Sequence, residues 1–403
     1  MTQKFNDGRD WFFDKKFGLF VHWGLYSLIG WHEQVLQRRN MDRRDYERLI
    51  QEFNPKRFNP EEWLDIAQES GMEYIYFTTK HHDGFCLWDT KQTSYNITNT
   101  PYKKDVLGIL AEACAKRNFP LCLYYSVVDW HHPNYPNQGR HHEMPAPRPT
   151  DSPDMEAYVE YVKKQVTELC TNYGSIYGFF WDINVPKHKD KTVNEIIRKL
   201  QPNAVINNRG FDEGDFATPE RNVPEGSEFT TPTQACQSLG KQSWGYKSGE
   251  DYYSHKFIMQ SIDKILAMGG TYLLNVGPKS DGTIPNECVE SLKIIGQWYK
   301  SVKESFNNTK PASHLIDTPN ILVTKKERAL YLHLFKDSDS STISLEPMTE
   351  APAKATLLNN ETQLEFKIDS MVQEWRTAKP HLRIRKIPIN EMQDTVMVIK
   401  LEY

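Results

Sequence analysis

Several apolar segments of this sequence end on residue types that can do chemistry. The polar residues at these ends are His22, His81 with His82, Tyr124, Asp182 and Arg209. Asp182 follows an aromatic run, and an ionised carboxylate beside apolar groups is costly unless it is paired, hydrogen-bonded or used in a reaction. A single histidine after a strand is usually structural. Five successive segments that end in this way are hard to explain by packing alone, so the pattern predicts a shared reaction site.

Glycoside hydrolysis is the chemistry that fits these side chains. It needs two carboxylates that flank the scissile bond, one as nucleophile or base and the other as acid. Asp182 is one candidate, and the second must come from another segment. The stretch at residues 207–226 offers five acids, and the residue types alone leave the choice between them open: Asp212, Glu213, Asp215, Glu220 and Glu225.

A histidine-rich stretch at residues 129–145 raises the alternative of a metal hydrolase. It holds four histidines and could bind a transition metal. No ligand spacing such as HExxH occurs in it, which favours a solvated loop. Adjacent histidines on a strand point to opposite faces, so His81 with His82 is not by itself a metal site. We expect no metal and no organic cofactor.

The elements that must position these residues alternate along the first three hundred residues. Helical periodicity at residues 60–71 is followed by a strand-like run at 74–80, and residues 105–118 and 120–126 repeat the pair. Repeated units of this kind predict a parallel sheet. At this length we expect an α/β fold of the (β/α)8 or TIM-barrel type, in which active sites lie at the carboxyl ends of the strands. About six strands are clear in the sequence.

The pattern of apolar and polar residues changes after Phe306. Residues 307–319 have the composition of a linker, and several short segments of alternating apolar and polar residues follow. Such segments, separated by turn residues, are typical of a small antiparallel β-sandwich. The sequence therefore predicts two domains, a catalytic barrel at residues 1–306 and a C-terminal β-sandwich at residues 307–403.

Composition restricts the classes of partner and compartment. The net charge of −4 and the pI near 6.4 do not suit a nucleic-acid-binding protein. No apolar run is long enough to span a membrane, so no membrane insertion is expected. The start of the chain has no signal-like apolar region. We leave the compartment open: cytoplasmic, or periplasmic or secreted if a leader has been removed. The six cysteines are scattered along the chain, and we expect them to be free thiols buried in the core.

Seven motifs occur in order along residues 10–300: FGLFVHWGLYS, KHHDGFCLWDT, LYYSVVDW, FFWDIN, NNR with GDFATPE, SWGY and GGTYLLNVGPKSDGTIP. Together they resemble the α-L-fucosidases of glycoside hydrolase family 29, in particular the bacterial members. The resemblance implies a retaining exo-α-L-fucosidase that acts on fucosylated oligosaccharides or glycoconjugates. It also implies a barrel followed by a sandwich.

The resemblance assigns roles to particular residues. It places the nucleophile on Asp182 and the acid/base on Glu220, in the ATPE motif. It implies that the sugar hydroxyls contact His22, Glu33, His81, His82, Tyr124 and Arg209. It also implies that Phe20, Phe180 and Trp244 form an apolar pocket for the C6 methyl group of fucose.

Three positions depart from the family pattern. The segment WHEQ keeps Glu33 but lacks the usual tryptophan and tyrosine, Gln234 stands where many members have glutamate, and Ile183 replaces a glycine. These departures leave two alternatives: a non-catalytic relative that only binds fucose or a glycan, and a glycosidase for a related sugar such as α-L-galactose.

Overall fold

A parallel sheet forms the first part of the chain in this computed structural model, which describes residues 2–185, 187–318, 320–370 and 380–403. Within those ranges the sheet has seven strands, in the spatial order β5-β4-β3-β2-β1-β7-β6. All neighbouring pairs are parallel. The strands are β1 (Phe17–Val21), β2 (Ile75–Lys80), β3 (Leu121–Ser126), β4 (Ile176–Asp182), β5 (Val205–Ile206), β6 (Gln234–Ser238) and β7 (Thr271–Val276).

Four of the helices that connect these strands begin at residues that cap them. Asn59, Asp105, Asp154 and Ser254 each accept a hydrogen bond from a backbone N–H of the first helical turn. The helices are α1 (Trp11–Asp14), α2 (Tyr26–Ile29), α3 (Val35–Arg38), α4 (Arg43–Glu47), α5 (Pro60–Glu69), α6 (Val106–Lys116), α7 (Met155–Asn172), α8 (Thr192–Leu200), α9 (His255–Ala267) and α10 (Asn286–Val302). Among them, no helix is long and apolar enough to cross a membrane within the ranges described above.

The parallel sheet is strongly curled. Phe20 on β1 and Phe180 on β4 are three strands apart, which would separate them by about 14 Å in a flat sheet. Their ring centroids are only 5.3 Å apart. Tyr76, Cys122 and Leu273 share the same interior cluster. The sheet therefore curls around its own side chains as a half-barrel, which confirms the α/β architecture expected from the sequence.

The two edges of the curled sheet, β5 and β6, are joined by an irregular segment. Isolated bridges pair Asn207 with Phe216, Ala217 with Thr233, and Glu220 with Cys236. The strand β6 was not recognised in the sequence because its residues, QACQS, lack an apolar run. Its side chains are nevertheless buried, and it pairs with β7 along its whole length.

The C-terminal residues form two antiparallel sheets. One has the order β13-β12-β16-β10-β9-β8 and the other the order β11-β15-β14. Their strands are β8 (Lys310–Pro311), β9 (Leu322–Lys326), β10 (Ala329–Leu334), β11 (Ile343–Leu345), β12 (Lys354–Leu357), β13 (Thr362–Gln363), β14 (Glu365–Asp369), β15 (His381–Arg385) and β16 (Met397–Glu402). Leu332 and Ile399 of the first sheet share a core with Leu345 and Ile384 of the second.

The six-stranded sheet also contacts the helices of the first part. His333 on β10 hydrogen-bonds through Nδ1 to Asp263 on α9 at 2.8 Å, and both side chains are fully buried. The indole of Trp298 on α10 donates to the carbonyl of Val396. The predicted linker at 307–319 is partly structured, because β8 and a short 3-10 turn at 313–315 lie within it. Its last residue, Pro319, lies outside the described residues.

Candidate active site

A pocket with a cavity volume of about 170 Å³ opens at the carboxyl ends of the parallel strands. Every residue assigned to the site from the sequence lines it: Phe20, His22, Glu33, His81, His82, Tyr124, Phe180, Asp182, Arg209, Glu220 and Trp244. The pocket also has lining residues that the sequence did not assign to the site, namely Gln34, His141, His142, Ile183 and Cys236. The fold therefore brings together residues that are up to 224 positions apart, from Phe20 to Trp244.

Asp182 lies at the end of β4 among groups that favour its ionised form. Tyr124 donates its hydroxyl hydrogen to Oδ2 at 2.6 Å, and Arg209 Nη1 lies 3.3 Å from Oδ1. His82 Nε2 is 3.7 Å from Oδ2. Burial alone would raise the pKa of Asp182, but the charge of Arg209 and the Tyr124 hydrogen bond hold this pKa below its usual value.

Arg209 also binds Glu220. The same nitrogen, Nη1, lies 2.7 Å from Glu220 Oε2, and Nη2 donates to the carbonyl of Thr218. Because Nη1 is 3.3 Å from Asp182 Oδ1 and 2.7 Å from Glu220 Oε2, these two carboxylate oxygens are at most 6.0 Å apart.

The other acids of the 207–226 stretch have different surroundings. Asp215 is paired with Arg9 and Arg198 and accepts a hydrogen bond from the backbone N–H of Ile206. Asp212 accepts hydrogen bonds from Asn194 and from the Gly214 N–H. Glu213 and Glu225 are exposed. Of these five residues, all within the described ranges, Glu220 is the one that lines the pocket.

Two asparagines hold the segments that carry Asp182 and Arg209. Asn207, which is fully buried, accepts from the Trp181 N–H through Oδ1 and donates to the Trp181 carbonyl through Nδ2, both at 2.9 Å. This side chain continues the β4–β5 pairing beyond its last backbone bond. Asn184 donates to the carbonyls of His188 and Gly210. The hydrogen bonds of Asn207 and Asn184 therefore join the residues that flank Asp182 to the residues close to Arg209.

The hydrogen-bond network assigns one tautomer to His22. Its Nδ1 lies 2.6 Å from Asn275 Oδ1. The Nδ2 of Asn275 donates to Ser238 Oγ and to the Trp244 carbonyl, so Oδ1 must be the acceptor and His22 Nδ1 the donor. Burial lowers the pKa of His22 to about 4, which leaves the ring neutral at pH 7. Its Nε2 is therefore a hydrogen-bond acceptor.

His82 is held in the same tautomer by Ser126. The Ser126 hydroxyl donates to the Val128 carbonyl at 2.7 Å and so accepts from His82 Nδ1 at 2.6 Å. Burial lowers the pKa of His82 to about 4 as well. With His22, the pocket presents two neutral imidazoles whose Nε2 atoms accept hydrogen, an arrangement suited to a ligand that is rich in hydroxyl groups.

Glu33 fixes the position of Trp244. Its Oε2 accepts hydrogen bonds from Ser243 Oγ at 2.7 Å and from the backbone N–H groups of Trp244 and Gly245. Although burial opposes ionisation, the charge of His32 and the hydrogen bond from Ser243 hold the pKa of Glu33 below its usual value. The Trp244 ring lies 6.3 Å from that of Phe20, which in turn contacts Phe180. These three rings form one apolar wall of the pocket.

The histidine-rich stretch is not the solvated loop that the sequence indicated. Asp129 accepts from Lys80 Nζ at 2.7 Å and from the N–H groups of His131 and His132, and this ion pair is fully buried. Trp130 donates through its indole to the carbonyl of His142. The His142 ring consequently lies 5.4 Å from His82 and lines the pocket. Within the described part of the chain, no cluster of three or more potential ligands could hold a metal ion.

Gln234, which stands where many family members have glutamate, does not line the pocket. It lies at the start of β6, opposite Thr271, and its amide donates to Tyr74 Oη in the interior of the curled sheet. Cys236, two residues further along the strand, is the β6 residue that lines the pocket. Because β6 was not recognised in the sequence, its direction and register were missed too.

Comparison with known proteins agrees with this geometry. The sequence model of the α-L-fucosidase family matches residues 2–304. The structure of α-L-fucosidase isoenzyme 1 from Paenibacillus thiaminolyticus is 30% identical, with a TM-score of 0.87, over 98% of this chain and 99% of that one. A bacterial fucosidase with a monovalent iminocyclitol inhibitor is 25% identical, with a TM-score of 0.85, over 100% and 97%. The human tissue α-L-fucosidase is 26% identical over 89% of this chain and 82% of its own length. The resemblance inferred from the motifs is confirmed, and the chain belongs to the α-L-fucosidase family.

Proposed function

We propose that the protein is a retaining exo-α-L-fucosidase that releases terminal α-L-fucose from fucosylated oligosaccharides or glycoconjugates. One observation carries the proposal: Asp182 and Glu220 share Arg209 Nη1, which limits the separation of their nearest oxygens to 6.0 Å. Retaining glycosidases hold their two carboxyl groups about 5–5.5 Å apart, whereas inverting enzymes need about 6.5–9.5 Å to admit a water molecule.

In the first step Asp182 attacks the anomeric carbon as the glycosidic bond breaks. Asp182 suits this role because Tyr124 and Arg209 favour its ionised form in a buried position. Glu220 gives its proton to the departing oxygen. Since Glu220 is ion-paired with Arg209, it must leave this pair and take up a proton before it can act as the acid. Its side chain is 38% exposed, which gives it room to do so.

In the second step Glu220, now ionised, removes a proton from water. The oxygen attacks the anomeric carbon of the β-linked fucosyl-Asp182 ester, and Asp182 leaves as the carboxylate. Two inversions return the sugar in the α configuration. Arg209 stays beside Asp182 and offsets the negative charge of the carboxylate that leaves.

The pocket suits a single deoxy sugar at the end of a chain. His22 Nε2 and His82 Nε2 would accept hydrogens from sugar hydroxyls, and the wall of Phe20, Phe180 and Trp244 would take the methyl group. An apolar wall rejects an added hydroxyl only weakly, by about 10²-fold. Turnover of α-L-galactosides at a reduced rate is therefore expected.

We also propose the finer features of the fold. Residues 216–220, which bridge β5 to β6, would stand in for the eighth strand of the barrel. The boundary between a catalytic domain at 1–306 and a β-sandwich at 307–403 would lie just after α10.

The test is turnover of 4-nitrophenyl α-L-fucoside by Asp182→Ala and Glu220→Ala, with Glu213→Ala as the control from the same stretch. We expect Asp182→Ala to lose several orders of magnitude in rate. Glu220→Ala should lose less on this activated substrate than on a natural fucoside.

Azide should restore turnover of Glu220→Ala with α-fucosyl azide as the product. Azide rescue of Asp182→Ala should instead give the β-azide. Near-normal turnover by Asp182→Ala would overturn the nucleophile assignment. Equal loss on both substrates by Glu220→Ala, without rescue, would move the acid to another residue.

A further inference from the structure

A second cavity lies at the opposite end of the parallel sheet from the candidate active site. Its lining includes Lys16, just before β1, and Gly269, just before β7. Lys16 and His22 are six residues apart along one extended strand, a distance of about 20 Å at roughly 3.3 Å per residue. The two pockets are therefore separate sites.

Lys16 is a buried cation without a partner at this cavity. Only 8% of the surface of Lys16 is exposed. Across the residues that the structure describes, its ammonium makes no hydrogen bond or ion pair. The nearby carboxylate of Glu73 is already used, because it accepts from the Lys16 backbone N–H and pairs with Lys303 Nζ at 3.2 Å. Burial lowers the pKa of Lys16 to about 8, so the side chain is still mainly protonated at pH 7.

The charges around the cavity are unbalanced. Three lysines line it, Lys4, Lys16 and Lys310, against one carboxylate, Asp14. That carboxylate pairs with Lys4 at 3.1 Å. Lys310 is exposed at the rim and has no ion pair with any described residue. Since an unpaired charge is costly to bury, a negatively charged ligand is the group that would satisfy Lys16.

We propose that this cavity binds a small molecule through an oxyanion, a phosphate or a carboxylate, with Lys16 as the buried contact. Lys4 and Lys310 add positive charge at the rim, and lysine binds such groups as a point charge. The apolar faces of Phe13 and Pro311 line the remainder of the cavity and would contact the body of the ligand. The site is independent of the proposed glycosidase chemistry.

The experiment follows the thermal unfolding of the whole chain at pH 7 while sodium phosphate or sodium acetate is added, against sodium chloride of equal ionic strength. A ligand that binds the folded state raises Tm in a saturable manner. We expect phosphate to raise the Tm of the wild-type protein by about 2–4 °C at tens of millimolar. Lys16→Met should abolish this response, and Lys15→Met, which alters the neighbouring lysine outside the cavity, should keep it.

The two salts separate the possible ligands. A response to phosphate alone would assign the site to phosphate groups, and a response to both would assign it to oxyanions generally. Isothermal titration of phosphate into the same variants gives an independent measure of binding. If Lys16→Met does not fold, Lys310→Met should weaken phosphate binding at least 3-fold. Equal responses in wild type and Lys16→Met, or no response to either salt beyond that to chloride, would overturn the proposal.

Discussion

Replacing Tyr124 with phenylalanine tests how the site keeps Asp182 ionised. The hydroxyl of Tyr124 donates to Asp182 Oδ2 at 2.6 Å from a fully buried ring. The substitution removes this donor and leaves the ring in place. Because a donor favours the charged form of a carboxylate, its loss raises the pKa of Asp182. The nucleophile must be ionised, so activity should be lost at a higher pH as the solution is acidified.

The size of the shift follows from the strength of the hydrogen bond. A hydrogen bond to a charged group contributes about 1.5–3 kcal/mol. One pH unit corresponds to about 1.4 kcal/mol. We therefore expect the acidic limb of the kcat/KM profile to move upward by about one to two pH units. The limb of kcat/KM reports the ionisation of groups in the free enzyme.

The assay measures kcat/KM for 4-nitrophenyl α-L-fucoside between pH 3 and 8, with product detected after quenching in base. Tyr76→Phe is the matched control. Tyr76 lies on the neighbouring strand β2, is equally buried, and its hydroxyl interacts with the Cys122 thiol rather than with a carboxylate. An unmoved acidic limb in Tyr124→Phe would refute the reasoning. A comparable shift in Tyr76→Phe would attribute the effect to packing instead.

Three further substitutions probe buried polar groups, each by chemical denaturation. Asp129→Asn leaves the ammonium of Lys80 buried without its counter-charge and should lower the free energy of unfolding by about 3–5 kcal/mol; a loss below 1 kcal/mol would contradict this. Asn207→Ala should cost about 1–3 kcal/mol for each backbone group of Trp181 left unsatisfied; unchanged stability would show that water replaces the amide. Lys16→Met should stabilise the protein by about 3 kcal/mol at pH 7, because the folded pKa near 8 lies below the unfolded value of 10.5. That gain should fade as the pH rises from about 8 to 10.5, and a gain constant with pH would argue against it.

The sequence alone was sufficient wherever a local signal sets the structure. The strand that ends on Asp182 is recognisable because its aromatic run is continuous, and α6, α7 and α9 begin at the capping residues Asp105, Asp154 and Ser254. The alternation of strands and helices predicts a parallel sheet, and in such folds the active-site residues lie at the carboxyl ends of the strands. Of the residues that line the pocket, His22, His81, His82, Tyr124 and Asp182 lie there for this reason.

The tertiary structure decided the points that depend on residues far apart in the chain. The residue types alone leave five candidate acids in the 207–226 stretch, and the bridge between Glu220 and Cys236 brings one of them beside Arg209. The register of β6 against β7 decides that Cys236 reaches the pocket and Gln234 does not. A one-residue slip of a strand would turn its side chains to the opposite face of the sheet. The pairing of strands across the sheet therefore determines which residues line this site, and no local sequence pattern specifies that pairing.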